Sequence, residues 1–179
     1  MATILTILAD GFEEIEAVIP IDILRRAGIS VVVAGLNEMT VRGSHGLSVQ
    51  TDFCLDDFRG NVDGIVLPGG PGHKRLLESV PVITRVQDLF RKGLLCAAIC
   101  AGPTVLGKAG ILQGKNATCF PGHESQLTGA TFVEAQVVVD GNVITSRGAG
   151  TAFPFALALT RYLTDSATAE MVASKILYR

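Results

Sequence analysis

The sequence predicts an α/β fold in which a mostly parallel sheet lies between two layers of helices, a three-layer sandwich. Four short segments, residues 3–9, 29–35, 64–67 and 94–99, are apolar throughout, as are strands buried on both faces. Segments with helical spacing alternate with them, and this alternation is typical of a parallel sheet covered by crossover helices. The chain shows no internal repeat or linker, so we expect one domain spanning residues 1–179.

The first helix is predicted over residues 13–26, after the first strand and an Asp10-Gly11 turn. Gly28 is expected to end it, because glycine is the usual residue just beyond a helix. Helical spacing places five apolar residues on one face. We expect this face to pack on the core, and its members are Ile15, Val18, Ile19, Ile23 and Leu24.

Turn and periodicity signals predict the later elements. Residues 76–92 predict a broken helix with Pro81 in a first turn, where a missing N–H is tolerated. Asp140-Gly141-Asn142 lies between two runs of β-forming residues and predicts a hairpin within residues 133–144. The other predicted elements are short strands around Val41 and residues 47–51, and helices over residues 101–108, 152–163 and 167–177.

Charge and composition exclude several classes of protein. Fifteen Lys and Arg residues stand against seventeen Asp and Glu residues, whereas nucleic-acid-binding proteins usually carry a basic excess or stripe. We therefore expect no nucleic-acid partner. The nearly uncharged stretch 94–112 is interrupted by Gly102, Pro103, Gly107 and Lys108, so we also expect no membrane span.

The cysteines indicate a reducing compartment. Four cysteines in 179 residues do not make a disulfide scaffold. The N-terminal residues lack the basic region and cleavage site of a secretory signal. We therefore expect free thiols and a cytoplasmic location. The four residues are Cys54, Cys96, Cys100 and Cys119.

A small-residue turn around Cys100 is the sharpest chemical signal. Ala98-Ile99-Cys100-Ala101-Gly102 stands where an apolar strand gives way to a helix. A nucleophile elbow has this pattern, because the sharp turn crowds the positions two before and two after the nucleophile. The first amides of the helix would favour a Cys100 thiolate, and the amide of Ala101 could donate to an oxyanion. The alternative is a small buried cysteine.

Two further loops follow strands of the predicted sheet, at the edge where ligands bind in such folds. In Leu67-Pro68-Gly69-Gly70-Pro71-Gly72 the glycines permit close approach of backbone amides to a ligand; the alternative is an ordinary turn. Residues 13–16 contain three glutamates, which suit a first helical turn. Glu16 could instead turn inward toward a thiol, where burial would raise its pKa and let it move protons.

The three histidines, His45, His73 and His123, are isolated in the sequence. No pair has the spacing of metal ligands, so we expect no metal site. Solvated loop positions are the commonest state of such residues. His123 is the best candidate for a catalytic partner. The segment 145–151 could cap the final helices or close over the site.

These residues together resemble the ThiJ/PfpI superfamily, with the closest similarity to its Parkinson-disease-associated protein-deglycase branch. The resemblance implies a flavodoxin-like sandwich and a homodimer. It implies that Cys100 is the reactive elbow cysteine and that Glu16 contacts its sulfur. It also implies that the amides of Gly69, Gly70 and Ala101 face the site and that Arg26 lies near its rim. The matching segments are residues 11–20, 25–28, 66–70, 97–103 and 145–151.

The chain departs from the family pattern at three positions. Phe120 stands where the family often has a histidine, which leaves His123 as the candidate for that role. His45 replaces a family arginine, so an anion site there would be weaker and pH-sensitive. Ala101 stands where the protease-like branch has a histidine, which argues against a Cys-His peptidase. An amidotransferase-like or peptidase activity would need His123.

The resemblance leads to two functional hypotheses that use the same Cys100. The first is a cofactor-independent glyoxalase or deglycase, in which Cys100 and Glu16 convert a small dicarbonyl such as methylglyoxal, or its early glycation adducts, to a hydroxy acid. The second is a redox-sensing stress-response or chaperone protein without turnover, in which peroxide oxidises Cys100.

Overall fold

A seven-stranded sheet forms the centre of the computed structural model, which describes residues 1–178. The order β10-β11-β7-β6-β1-β2-β5 is parallel throughout except for β10, which pairs antiparallel with β11. The strands of this sheet are β1 (Thr3–Leu8), β2 (Ser30–Gly35), β5 (Phe53–Cys54), β6 (Gly64–Leu67), β7 (Leu95–Ile99), β10 (Val137–Asp140) and β11 (Val143–Ser146). Two short pairs lie outside it, β3 (Thr40–Arg42) with β4 (Ser48–Gln50), and β8 (Asn116–Ala117) with β9 (Thr131–Phe132).

Helices cover both faces of the sheet. They are α1 (Glu14–Arg26), α2 (His73–Glu78), α3 (Val80–Arg91), α4 (Pro103–Lys108), α5 (Ala152–Leu163) and α6 (Ser166–Lys175). Apolar residues of α2, α3 and α4 pack in one core cluster, whereas those of α1 and α5 pack in another on the opposite face. The predicted α/β sandwich is thus confirmed. Arg179, the last residue of the predicted domain, lies outside the described residues.

The structure confirms only part of the α1 face that the sequence predicts to pack on the core. Ile15 and Val18 are 46% and 44% exposed, whereas Glu16 is 1% exposed. Ile23 and Leu24 are buried as expected. The prediction counted apolar residues only, whereas the structure turns the Glu16 carboxyl inward, where it accepts from the amide of Gly69.

Several local predictions are confirmed. Pro81 lies in the first turn of α3, and the Ser79 side chain caps that helix by accepting from the amide of Val82. The predicted hairpin is β10–β11, and Gly141 in its turn has a left-handed φ of 62°. Strands β5, β8 and β9 have only two residues each, too short for a periodicity signal, and were not predicted.

The carboxyl ends of three neighbouring strands, β1, β6 and β7, bring the predicted loops together. The amide of Glu13, after β1, donates to the carbonyl of Gly69, after β6, at 3.1 Å. Gly69 in turn lies against Cys100, after β7. Within the described residues, every helix is too short or too polar to cross a bilayer.

Candidate active site

Cys100 occupies a nucleophile elbow. Its φ of 64° is left-handed, a conformation that non-glycine residues rarely adopt. Its amide donates to the carbonyl of Ser146 in β11 at 2.9 Å, and its carbonyl accepts from the amide of Phe120 at 2.8 Å. Gly102 must be small, because a Cβ there would lie 2.6 Å from the carbonyl oxygen of Leu67. The elbow geometry predicted from the small residues is confirmed.

Glu16 lies in the first turn of α1, and its side chain is buried beside Cys100. One carboxyl oxygen, Oε2, accepts a hydrogen bond from the amide of Gly69 at 2.8 Å. Burial raises the pKa of the Glu16 carboxyl from 4.5 to about 7, although hydrogen bonds from Cys100 and Gly69 oppose this shift. The negative charge of Glu13 raises the pKa further. Glu16 is therefore able to hold or release a proton near neutral pH.

The surroundings of the Cys100 thiol act on its pKa in opposite directions. Burial, together with the charge and hydrogen bond of Glu16, raises its pKa to about 12, while the amides of Gly70 and Ala101 act in the opposite direction. The two amides thus favour the thiolate, whereas burial and Glu16 favour the thiol. Neither amide belongs to α4, which begins at Pro103. The pair Glu16 and Cys100 favours a single negative charge.

The two glycines after β6 have different partners. The amide of Gly69 is already bound to Glu16, so the expectation that it faces the reacting group applies only to Gly70 and Ala101, whose amides face the sulfur. A Cβ on Gly69 would lie 2.7 Å from Cβ of Cys100 and 2.9 Å from Oε2 of Glu16. Gly70 has a left-handed φ of 78°. Both positions therefore require glycine.

Aromatic and imidazole rings line up beside the elbow. The ring of His123 lies 6.5 Å from that of Phe120 and 5.2 Å, edge to face, from that of His73. The only side-chain hydrogen bond of His123 within residues 1–178 joins its Nδ1 to Gln126, at 3.2 Å. His73, expected to be a solvated loop residue, is 6% exposed. Its position three residues after Gly70 was the sequence signal that could have identified it.

His45 lies against the start of α1 and is surrounded by carboxylates. Its Nδ1 is 3.2 Å from Glu14 and 3.3 Å from Glu13. Backbone amides of His45 and Leu47 also donate to Glu14, and the pKa of its carboxyl is lowered to about 2 by these hydrogen bonds, against the opposing effect of burial. Two flanking carboxylates repel an anion, so the structure does not support the anion site expected at His45.

The same three side chains form a cluster that the sequence spacing did not reveal. The atoms of Glu13, Glu14 and His45 that could bind a metal ion all lie within 4.8 Å of one another. Nδ1 of His45 hydrogen-bonds to Glu14, the Ser44 hydroxyl donates to Glu13 and Glu14, and backbone amides also donate to Glu14.

Arg26 lies in the last turn of α1, ten residues beyond Glu16 and about 15 Å further along the helix axis at the α-helical rise. Its side chain is half exposed and pairs with Asp22 at 2.6 Å. The structure therefore does not bring Arg26 to Cys100.

Segment 145–151 contacts the elbow but does not cap the final helices, because Thr151, the N-cap residue of α5, makes no side-chain capping hydrogen bond. The carbonyl of Ser146 holds the amide of Cys100, and a Cβ on Gly148 would lie 3.3 Å from the Phe120 ring. Thr151 Oγ1 accepts from the amide of Gly148 at the start of the turn that leads into α5.

The fold and site define an α/β protein with a nucleophile-elbow cysteine beside a buried glutamate. Residues 2–162 match the DJ-1/PfpI family. The chain belongs to this family, and the resemblance seen in the sequence is confirmed.

Similar proteins cover nearly the whole chain. The Parkinson disease protein 7 homolog of Danio rerio is 43% identical over 98% of this chain and 96% of its own length. A protein named deglycase from Pyrococcus horikoshii is 35% identical over 80% of this chain and 89% of its own length. The crystal structure of Drosophila melanogaster DJ-1beta, 41% identical, has a TM-score of 0.93 and covers 99% of this chain and 98% of that one.

Proposed function

We propose that the protein is a cofactor-independent glyoxalase or deglycase that acts on small dicarbonyls or their early glycation adducts. The observation that carries the proposal is the contact of the Cys100 thiol with a buried Glu16 of raised pKa and with the amides of Gly70 and Ala101. A nucleophile, a proton carrier and two oxyanion donors thus meet at one point. The deglycase name of the Pyrococcus horikoshii relative supports the same class of reaction.

The first step forms a hemithioacetal. Glu16 as carboxylate accepts the thiol proton while the Cys100 sulfur attacks the aldehyde carbon of methylglyoxal. The developing alkoxide is stabilised by the amides of Gly70 and Ala101 and takes this proton back from Glu16, which returns to the carboxylate. One negative charge is present throughout, which avoids the repulsion between a thiolate and a carboxylate in a site with little water.

The second step isomerises and releases the adduct. Glu16 removes the proton from the former aldehyde carbon and the ketone oxygen is protonated, which gives an enediol. A proton then adds to the former ketone carbon while the hydroxyl on the sulfur-bearing carbon loses its proton, which gives a thioester, and water hydrolyses it to lactate and the free Cys100 thiol. The sum is methylglyoxal plus water giving lactic acid. The carbon skeleton is oxidised at one carbon and reduced at the next, so the reaction requires no external oxidant.

Direct measurement of lactate tests the proposal. The reduced protein is incubated with methylglyoxal in the absence of glutathione, beside Cys100→Ser and the control Cys54→Ser, which removes a thiol that is not part of the site. We expect lactate from the wild type and from Cys54→Ser, and none from Cys100→Ser. Loss of methylglyoxal without lactate in the wild type would reduce the reaction to adduct formation and would contradict the proposal.

A redox-sensing role is the second candidate, and the exposure of the thiols favours it. Cys54 and Cys100 are partly exposed, whereas Cys96 and Cys119 are buried, and of the two exposed thiols Cys100 is the one that the amides of Gly70 and Ala101 face. A solved structure described as Toxoplasma gondii DJ-1, oxidized, is 37% identical to this chain with a TM-score of 0.95, covering 99% of both chains. Peroxide would transfer one oxygen to the Cys100 thiolate, with loss of water, to give the sulfenic acid, and a second equivalent would give the sulfinate. The amides of Gly70 and Ala101, and protonated Glu16, would then donate to the sulfinate oxygens.

Intact-mass spectrometry after graded peroxide tests this role. A stable product with two added oxygens, abolished in Cys100→Ser and retained in Cys54→Ser, is the expected result. Oxidation distributed over all four cysteines would contradict it.

We also propose that the protein is a homodimer located in the cytoplasm, where a free Cys100 thiol would persist. The exposed apolar residues Ile15 and Val18 on α1 support self-association, since Val18 borders a surface groove with Ile21 and Val49. Light scattering should give twice the chain mass. Ile15→Glu should give the single-chain mass, while a control at exposed Val80, Val80→Glu, should leave the dimer intact. Cell fractionation tests the location.

A further inference from the structure

A buried histidine lies on the side of Gly70 away from the sulfur. His73 is the first residue of α2 and is 6% exposed. Its ring Nδ1 lies 2.8 Å from the carbonyl oxygen of Gly70, and its backbone amide donates to the same oxygen at 3.1 Å. A carbonyl only accepts hydrogen bonds, so Nδ1 carries the proton. Burial lowers the pKa of His73, which favours the neutral ring. The hydrogen bond to the Gly70 carbonyl then selects the tautomer with the proton on Nδ1.

Gly70 is the residue whose orientation determines one oxyanion donor. Its amide faces the Cys100 sulfur, and its φ is 78°. A glycine has more backbone freedom than any other residue. The neighbouring backbone leaves space only for glycine, since a Cβ there would lie 2.5 Å from the carbonyl oxygen of Gly11 and 2.6 Å from the amide of Glu13. The Gly70 carbonyl is held by the His73 amide and, at a shorter distance, by the His73 ring.

We propose that His73 is a positioning residue, which holds the Gly70 carbonyl through Nδ1–H and thereby keeps the Gly70 amide directed at Cys100. The inference rests on the proposed function and extends it to a residue that does not touch the reacting atoms. The opposite contact of the ring is the edge-to-face packing on His123, which limits rotation of the His73 side chain. A neutral imidazole suits this buried position, because a charged imidazole would be poorly solvated there.

Two substitutions separate the hydrogen bond from the volume of the ring. His73→Phe keeps a planar ring but loses the Nδ1 donor, whereas His73→Asn loses the ring but keeps an N–H donor near the position of Nδ1. For His73→Phe we expect kcat for lactate formation to fall by about tenfold to a hundredfold with KM nearly unchanged, as is typical when a group that acts in the transition state is misplaced. His73→Asn should recover most of the loss.

Alkylation of Cys100 supplies a readout that does not depend on turnover. The rate of reaction with iodoacetamide at one fixed neutral pH, followed by peptide mass, reports how well the amides stabilise the thiolate. We expect His73→Phe to slow alkylation severalfold and His73→Asn to restore it. If wild-type protein makes no lactate, the proposed function fails, while the alkylation rates still test the role of His73.

Two results would overturn the inference. One is a His73→Phe variant whose kcat for lactate formation and rate of Cys100 alkylation equal those of the wild type. The other is an equal loss of kcat and of alkylation rate in His73→Phe and His73→Asn, when both variants melt within a few degrees of the wild type. If His73→Phe does not fold, His73→Asn decides alone. A near-wild-type kcat and alkylation rate in His73→Asn would support the hydrogen bond as the relevant contact. A large loss of both in a folded His73→Asn protein would contradict the inference.

Discussion

Oε2 of Glu16 accepts the amide hydrogen of Gly69 at 2.8 Å, across a sequence separation of 53 residues. This bond joins the first turn of α1 to the loop after β6 and directs a carboxyl group into the interior next to the elbow cysteine. The same carboxyl raises the pKa of the Cys100 thiol. The local structure of the site and its proton chemistry therefore depend on one buried side chain.

Substitution of Glu16 by glutamine should separate nucleophilicity from turnover. Glu16→Gln preserves an oxygen acceptor for the amide of Gly69 but removes the proton carrier, so we expect lactate formation to fall by at least a hundredfold, as for loss of a general acid–base group. The thiol loses a neighbouring negative charge, so its pKa should fall and iodoacetamide should react faster with Cys100 than in the wild type. Lactate assays and alkylation rates on the same preparation measure both effects.

Full lactate formation by Glu16→Gln would contradict the proposed mechanism. Glu13→Gln is a useful control, because it removes a nearby charge that acts on Glu16 only at a distance and leaves the carboxyl in place. It should retain most of the activity, and it should move the acid limb of the pH–rate profile to lower pH.

The raised pKa of Glu16 predicts a pH-dependent stability. Because the pKa is about 7 in the folded protein and 4.5 in the reference state, the folded protein binds more protons than the unfolded chain between these values. The contribution of Glu16 to stability is therefore greatest below pH 4.5 and is lost as the pH rises to 7. The loss is about 3 kcal/mol, from 1.36 kcal/mol per pKa unit.

Urea unfolding at pH 4.5 and pH 8 measures this effect. The comparison is between wild type and Glu16→Gln, which has no titrating group at that position. The variant should gain about 3 kcal/mol of unfolding free energy relative to the wild type between the two pH values. Equal pH dependence in the two proteins would show that Glu16 is not desolvated in the folded state.

The sequence predicts the layers of this fold because buried parallel strands are apolar throughout. Each such strand can therefore be identified from its own residues, without knowledge of the strands that it pairs with. The strands β1, β2, β6 and β7 follow from this rule alone. The elbow is also local, since Ala98 and Gly102 are small for steric reasons that act within one turn of Cys100.

The parts of the site that depend on distant contacts were not predictable from local pattern. Glu16 was identified firmly only through family resemblance, because its burial contradicts the apolar face expected for α1. The burial of His73 depends on the loop after β6 and on His123, two segments separated in the chain. His45 approaches Glu13 and Glu14 only because the β3–β4 hairpin folds back on α1, and this contact makes an anion site there unfavourable.

Removal of the His123 imidazole tests whether His123 acts as a base for Cys100, the role that a peptidase or amidotransferase activity would need. Within residues 1–178 its ring nitrogen contacts Gln126 rather than Cys100. We expect His123→Ala to retain lactate formation within about threefold to tenfold, the loss coming from weaker packing against His73 rather than from a missing base, for which about 10²-fold or more is typical. A loss of about 10²-fold in lactate formation by His123→Ala, with lactate formation by His73→Asn unaffected, would assign His123 a direct role in the reaction.

Two glycine substitutions compare the crowded site with an open position. A Cβ at Gly69 would lie 2.7 Å from Cβ of Cys100 and 2.8 Å from the amide nitrogen of Ala101, so the elbow must shift to accept it. At Gly150 no heavy atom lies within 4 Å of such a Cβ. Gly69→Ala should therefore abolish lactate formation and lower the unfolding free energy by about 1–3 kcal/mol, the usual cost of overpacking.

Gly150→Ala should remain active and within about 0.5 kcal/mol of the wild type, as most surface substitutions are. Lactate assays and urea unfolding of the two variants measure both quantities. An active Gly69→Ala would mean that the elbow and the carboxyl of Glu16 can separate without loss of chemistry, which is incompatible with a mechanism that passes the Cys100 proton to Glu16.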